Sequence, residues 1–569
     1  MPGRQWIGTA LSLHAMCLLV LIGLAPHVHA GQAAVAMPDR YSATTAEMII
    51  RSGGNAVDAA VAAAFVLAVT YPEAGNIGGG GFMLSYMGGE AAFLDFRERA
   101  PLAAHRDMYL DEAGDFIQAK ALSGGLASGV PGTVRGLRAA HQRYGSLPWK
   151  TLLQPAIELA DRGFVVDPGL AAMTRGKIRE TAGQTNFADT FAKLANSDTF
   201  AQPALARTLR KIADDPEDFY RGDIAHQIVA EMKRSGGIIT LADLAGYRAL
   251  WRTPLQYYWQ GHQILTAPPP SSGGLALLQL LGIMDFARPL FKDVPHNSPR
   301  YVHLLAEIEK RVFADRAEYL GDTDFVDVPV GRLLDPQYLM RQATALKPAA
   351  ISDTGSTGPG LESHQTAHFS ILDTAGNAVA LTYTLNWEFG SGVVVTGAGF
   401  LLNNEMDDFS AKPGVPNKFG VVGNDRNAIE PGKRMLSSMT PTLLLRDGRP
   451  ELVIGTPGGS TIFTSIYQVI LNLYLHGMPL QAAVDATRFH HQLPAAGLIR
   501  HDRRELPAAT RDKLEQLGYT LEPNSWGDLG DIQVIRVAPT TVEAASDSRG
   551  RGRAVVFEEA GAAEKLSLE

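Results

Sequence analysis

The feature that most constrains this chain is a change of texture a little beyond its middle. Residues 349–360 (AAISDTGSTGPG) are rich in Ser, Thr, Gly and Pro and carry little apolar content, which reads as an exposed linker. Just beyond it, 368–373 and 378–384 alternate as two strands about the turn Thr374-Ala375-Gly376-Asn377. Folding one strand on the other brings Thr366 and Thr384 to the same end of the hairpin, within a residue or two of facing each other. Further strands are expected at 393–395, 442–446 and 452–454, and helices at 461–475 and 480–486. Strands followed by helices fit a sheet covered by helices.

Upstream of the linker the pattern is mainly helical. Residues 44–50 and 56–69 read as helices separated by Gly53-Gly54-Asn55. The second is Ala-rich and apolar all round (Val57, Val61, Phe65, Val66, Val69), which suits burial between layers, and Pro72 stops it. A run of four glycines, Gly78 to Gly81, precedes strands at 82–86 and 91–96. Residues 120–310 read as helical, and the irregular loop from Pro268 to Gly274 leads into an apolar helix at 275–284.

The first 30 residues read as a secretory signal: Arg4, an uncharged and mostly apolar stretch at 15–25, and Val28-His29-Ala30 as a cleavage site. Export to the periplasm or beyond is expected, with an uncleaved anchor as the alternative and no stable membrane insertion. The one cysteine, Cys17, lies inside this segment, so a mature chain would have no disulfide, zinc–thiolate site or Cys nucleophile. A formal net charge of −8 argues against nucleic acid as a partner. The short basic cluster Arg549, Arg551 and Arg553 reads as a solvated surface segment.

The chemistry suggested by this layout centres on Thr366. If the peptide bond after Gln365 is cut, Thr366 gains a free α-amine with a reference pKa near ~8. That amine can take the proton of the residue's own hydroxyl, so nucleophile and base sit on one residue. No metal or organic cofactor is implied; the adjacent His490-His491 is not a spacing for shared metal ligation on a helix.

Gln365-Thr366-Ala367-His368-Phe369-Ser370 resembles the processing site of the γ-glutamyltransferases. Thr382 to Asn386 (TYTLN), Leu401 to Phe409 (LLNNEMDDF), Leu436 to Pro441 (LSSMTP), Thr456 to Ser460 (TPGGS), and Gly78–Gly81 followed by Asp95-Phe96-Arg97-Glu98 resemble further segments of that family, in order. The resemblance implies an α+β fold, the four-layer αββα sandwich of the N-terminal-nucleophile hydrolases. It implies a precursor cut into a large subunit, 31–365, and a small catalytic subunit, 366–569, which stay together as a heterodimer. Thr366 would be the nucleophile and Thr384 its hydrogen-bonding partner, while Gly458 and Gly459 would offer N–H groups to the oxyanion. Arg97, Ser437 and Ser438 would hold the donor's α-carboxylate, and Asp408, helped by Glu405 and Asn386, its α-ammonium. Glutathione and related γ-glutamyl compounds would be donors, with water, amino acids or dipeptides as acceptors. Two departures stand out: Ala367 replaces a second Thr found in some relatives, and the lid stretch 413–420 carries Phe419 where some have Tyr.

Rival readings are a related self-processing acylase for β-lactam side chains, a nucleotide site at Gly78–Gly81, and an uncut relative that only binds. A donor without an α-ammonium would have no use for Asp408. A glycine run without a following Lys-Ser/Thr is weak evidence for a phosphate loop.

Overall fold

The computed structural model describes residues 31–353, 366–418, 420–493, 495–524 and 527–558. Two antiparallel sheets lie face to face. The strands, in chain order, are Gln32–Met37 (β1), Gly80–Met87 (β2), Glu90–Asp95 (β3), Leu250–Arg252 (β4), Leu255–Trp259 (β5), His262–Thr266 (β6), Thr366–Leu372 (β7), Ala378–Thr384 (β8), Thr442–Arg446 (β9), Arg449–Gly455 (β10), Gln533–Ala538 (β11), Thr541–Ser546 (β12) and Arg553–Glu558 (β13). The first sheet runs β13-β1-β7-β8-β2-β3-β4 and the second β12-β11-β10-β9-β6-β5.

Alternation along the strands assigns each face of the first sheet. Ala33, Val35 and Met37 of β1 join a core with the helices, whereas Ala34 and Ala36 join the core that includes the second sheet. The same parity in β7 puts Ala367, Phe369 and Ile371 under the helices. Thr366, His368 and Ser370 therefore point between the sheets, and Ser370 Oγ donates to the carbonyl of Gln533 on β11 at 3.0 Å.

The helix on the outer face of the first sheet, Ala56–Thr70, is buried at every position. Its start is fixed by Asn55, whose side chain accepts from the backbone of Val57 and Asp58 while Asp58 reaches back to the Asn55 N–H. Such a box is worth about 1 kcal/mol. Gly273–Ala287 and Thr461–Tyr474 cover the second sheet, and Pro299–Tyr319 packs on the former. The expected four-layer αββα sandwich is the observed one. The apolar helix Gly273–Ala287 is internal, with 13 buried residues.

Several sequence expectations are corrected. Residues 393–395 form no strand; Val394 makes a single bridge to Leu401, because glycines at 390, 392, 397 and 399 take positive φ around it and bend the chain away from a ladder. The helical stretch 120–310 contains β4, β5 and β6. Their alternation is short and partly polar, and pairing with distant strands stabilises it. Arg549 and Arg551 are not solvated: Arg549 pairs with Asp502 at 2.6 Å and Asp547 at 2.9 Å, its side chain 1% exposed, and Arg551 pairs with buried Glu73 at 2.6 Å. Buried carboxylates there require cations, which composition alone does not reveal. The signal segment, Gln365 and Phe419 lie outside the described residues.

Candidate active site

The β7–β8 hairpin delivers the pair expected from the sequence. Thr366 and Thr384 are register partners, and Thr366 Oγ1 donates to Thr384 Oγ1 at 3.4 Å. Thr384 Oγ1 also accepts from the Asn386 N–H at 2.7 Å. This turn puts Asn386 at φ 77°, a left-handed conformation that Asn tolerates better than most residues. Both threonines are buried, and Thr366 is 6% exposed.

The four glycines support this pair from behind and are not a phosphate loop. Gly80 pairs with Thr384 and Gly81 with Tyr383 in the β2–β8 ladder. A Cβ at Gly79 would lie 2.1 Å from the Thr384 carbonyl, and one at Gly78 2.1 Å from that of Leu401. The run exists because two backbones pass at these positions with no room for a side chain.

A pocket of about 670 Å³, counted out to its mouth, opens over Thr366. Nine of the ten residues expected from the sequence line it: Thr366, Thr384, Gly459, Arg97, Asn386, Glu405, Asp408, Ser437 and Ser438. The tenth, Gly458, directly precedes Gly459. Its φ of 142° and the 54° of Gly459 form a turn suited to glycine, and the Gly458 carbonyl caps Thr461 at 3.0 Å as the helix Thr461–Tyr474 begins.

The charged wall is built around Arg97, which follows the end of β3. Its guanidinium meets Glu405 at 2.5 Å, Glu98 at 3.5 Å and Asp408 in a short ion pair. The three carboxylates hold it charged: they outweigh the burial that works against its charge and raise its pKa. Burial lifts Glu98 to about 8 and Glu405 well above the carboxylate range, with Arg97 pulling each back. Asp408 is also raised by burial, then drawn down by Arg97 and by Arg316. Arg97 shared by Asp408 and the buried Glu98 and Glu405 leaves the cluster partly protonated near neutrality.

The paired serines are held by a loop whose part the sequence reading left open. Ser437 donates its N–H to the Pro270 carbonyl at 2.9 Å, and its carbonyl accepts from the Ser272 N–H and Oγ, each at 2.7 Å. The acidic loop is stitched by Asn403 and Asn404. Asn403 Nδ2 donates to the carbonyls of Gly78 and Gly129 at 2.9 Å, and Asn404 Oδ1 accepts from the Trp387 N–H at 3.0 Å. Asn386 Nδ2 donates to the Asn404 carbonyl at 3.0 Å.

Arg316, which the sequence reading missed, also lines the pocket. It sits near the end of Pro299–Tyr319, a helix of mixed surface and core residues, where an Arg looks like an ordinary last-turn cation.

His368, two residues beyond Thr366, is fully buried between the sheets. Its Nδ1 meets Thr382 Oγ1 at 2.7 Å and its Nε2 meets Ser370 Oγ at 3.2 Å. A Cβ on Gly455 of β10 would lie 2.2 Å from the ring, so glycine is required where the sheets close on it. Burial lowers the His368 pKa to about 3. The folded pKa is below the unfolded ~6.5, so the neutral ring's stability is whole above pH 6.5 and is lost as pH falls toward 3. Between pH 6.5 and 5 the loss amounts to about 2 kcal/mol at ~1.4 kcal/mol per unit. His368→Gln should remove that slope: urea midpoints at pH 7.5 and 5 should separate less in the variant than in the unaltered protein. Equal separations would mean that the ring titrates freely in the fold.

Stacked sheets between helical layers, with a threonine opening a central strand at the floor of a pocket, put the chain in the class of N-terminal-nucleophile hydrolases. Residues 42–557 match the family model for gamma-glutamyltranspeptidase, and the chain belongs to that family. It is 58% identical over 525 residues to the glutathione hydrolase proenzyme of Pseudomonas aeruginosa, covering 92% of this chain and 94% of that one. To the glutathione hydrolase proenzyme of Escherichia coli it is 46% identical, covering 82% of each. Among solved structures, the cephalosporin acylase of Bacillus halodurans superposes with a TM-score of 0.81 at 28% identity, covering 92% of this chain and 96% of that one. The gamma-glutamyltranspeptidase of Pseudomonas nitroreducens complexed with L-DON superposes with a TM-score of 0.55 at 54% identity, covering 55% of this chain and 94% of that one.

Proposed function

We propose that this chain is a precursor that cuts itself between Gln365 and Thr366 and then works as a γ-glutamyltransferase and glutathione hydrolase. The observation that carries the reading is the facing pair Thr366–Thr384 at the floor of a pocket walled by Arg97, Glu405 and Asp408. In the precursor, Thr366 Oγ attacks the Gln365 carbonyl carbon and the scissile nitrogen leaves as the new α-amine. Water then hydrolyses the resulting ester. In turnover, the amine takes the Thr366 hydroxyl proton as Oγ attacks the γ-carbonyl of the donor. The proton passes to the departing amine, cysteinylglycine in the case of glutathione, and a γ-glutamyl ester remains. Water or the amine of an amino acid or dipeptide resolves it and regenerates the hydroxyl.

Thr384 steadies the hydroxyl, and the N–H groups of the Gly458-Gly459 turn face the developing oxyanion, each worth about 3 kcal/mol of barrier. Arg97 and the paired serines take the α-carboxylate; Asp408, with Glu405 and Asn386, takes the α-ammonium. The cut products, 31–365 and 366–569, remain one heterodimer. The N-terminal pattern supports export and removal of residues 1–30.

The cephalosporin acylase likeness makes an acyl donor without an ammonium the reading to exclude. γ-Glutamyl-p-nitroanilide should be turned over well ahead of glutaryl-p-nitroanilide. Asp408→Asn should erase most of that preference, raising KM for the γ-glutamyl donor at least ~10-fold while leaving the glutaryl rate nearly unchanged. A wild-type preference for glutaryl would overturn the γ-glutamyl assignment.

A further inference from the structure

The donor pocket holds two guanidinium groups, and the ion pairs of the first are already described: Arg97 is shared by Glu405, Glu98 and Asp408. The second, Arg316, also lines the pocket. It comes from Pro299–Tyr319, a helix on the outer side of the second sheet, and is 7% exposed. Its Nε donates to Ser272 Oγ at 3.0 Å and its Nη2 to Ser438 Oγ at 3.3 Å.

Those two bonds have a directional consequence. A guanidinium donates only, so the Ser438 oxygen spends a lone pair on Arg316 and keeps its own proton for another acceptor. Ser438 is part-exposed on the pocket wall. Its backbone is fixed, because its carbonyl accepts from Thr440 Oγ1 at 2.8 Å. Ser272, the other hydroxyl on Arg316, donates to the Ser437 carbonyl at 2.7 Å. Arg316 therefore bridges the Pro270–Ser272 loop to the paired serines, and it brings a permanent positive charge to the wall where Ser437 and Ser438 stand.

We propose that Arg316 is the positioning cation of the donor site: it orients the Ser438 hydroxyl so that the proton points into the pocket and is donated to the donor's α-carboxylate. This rests on the reading of the pocket as a γ-glutamyl site. The acceptor is recognised by its chemistry, a carboxylate set beside the Ser437–Ser438 wall. Arg316 acts through Ser438 and through its charge, apart from the reacting carbonyl, so binding should suffer and the chemical step should not.

The test uses the processed heterodimer with Arg316→Met, Arg316→Lys, Ser438→Ala and the Arg316→Met/Ser438→Ala pair. Donors are γ-glutamyl-p-nitroanilide and its α-carboxamide counterpart, and L-glutamate serves as a competitive inhibitor. Arg316→Met should raise KM for the carboxylate donor and Ki for L-glutamate by ~10–100-fold, as expected for a lost charge-assisted contact. Its kcat should stay within ~3-fold, and the carboxamide donor should lose little. Arg316→Lys should recover part of the loss. The double variant should be no worse than its weaker parent by more than ~2-fold, since both changes break one chain of contacts. Equal losses on both donors, a fall in kcat alone, or additive losses in the double variant would each overturn the proposal. A precursor that stays uncut in Arg316→Met but is cut in Arg316→Lys would also overturn it, since the role would then lie in the fold. Failure of the underlying reading is separate: unaltered protein would itself be uncut or would ignore the γ-glutamyl donor.

Discussion

Thr366→Ala is expected to run as one uncut chain on a denaturing gel and to release no detectable p-nitroaniline from a γ-glutamyl anilide. Unaltered protein should give two bands, the smaller beginning at Thr366. The expected loss of kcat is at least about 10⁴-fold, the scale on which nucleophile deletions act in other acyl-transfer enzymes. Alanine keeps the strand: Thr366 opens β7, pairs with Thr384 and is followed by a buried apolar alternation that the change does not touch. A loss of fold is therefore not the expected cause, and far-ultraviolet circular dichroism should match the unaltered precursor. Thr366→Ser should process and turn over, since it keeps the hydroxyl and the future amine. One band from unaltered protein would remove the free α-amine from the mechanism, and two bands from Thr366→Ala would show that something other than the Thr366 hydroxyl makes the cut.

Arg97→Met should be the most damaging change to the pocket that leaves the nucleophile in place. Arg97 is 1% exposed and faces the buried carboxyls of Glu98 and Glu405 as well as Asp408. Deleting one side of a buried ion pair typically costs about 3–5 kcal/mol, because the remaining charge has no water to turn to. Here the carboxyls have an escape, which is to take up protons. Their folded pKa values are already raised by burial, Glu98 to about 8, so stability is whole at low pH and is lost as pH rises through those values. The variant should thus approach the unaltered protein in urea midpoint at pH 5 and fall well short of it at pH 8.5. Its KM for γ-glutamyl-p-nitroanilide should rise by at least ~100-fold through loss of the proposed contact to the donor's α-carboxylate. A pH-independent deficit would mean that the carboxyls are ionised throughout and are held by other groups.

What could be read from the residues was local. The β7–β8 hairpin was legible because its alternation and its turn are contiguous, and the facing of Thr366 and Thr384 follows from strand arithmetic. Arg97, Asp408 and the paired serines lie far apart in the chain and were reached only through motif resemblance. Nothing in their local pattern says that they share a pocket. Arg316 was illegible because its helix also carries Arg300 and Arg311, and only tertiary packing decides which one looks into the pocket. β1 escaped notice for a different reason: QAAVAM lacks the polar alternation of a half-exposed strand, since both faces of it are covered. Arg549 and Arg551 looked like solvent residues because the acids that hold them, Asp502 and Glu73, stand far off in the chain.

The position of β1 also sets a timetable. Its neighbours in the sheet are β7 and β13, which begin at residues 366 and 553, while β1 itself ends at Met37. β1 has no partner on either side until more than 300 further residues exist, and it gains its second only once residues 553–558 are made. Contacts of such long sequence separation form late and slowly. A self-inflicted cut at Thr366 made before β1 is in place would sever the covalent link that brings these strands together. Thr366 pairs with Thr384 in the β7–β8 ladder, while β1 pairs further along β7, from Ser370 to Leu372, so in the proposed self-processing the cut site sits on a strand that β1 and β8 flank. Under the proposed self-processing, folding acts as the clock for maturation.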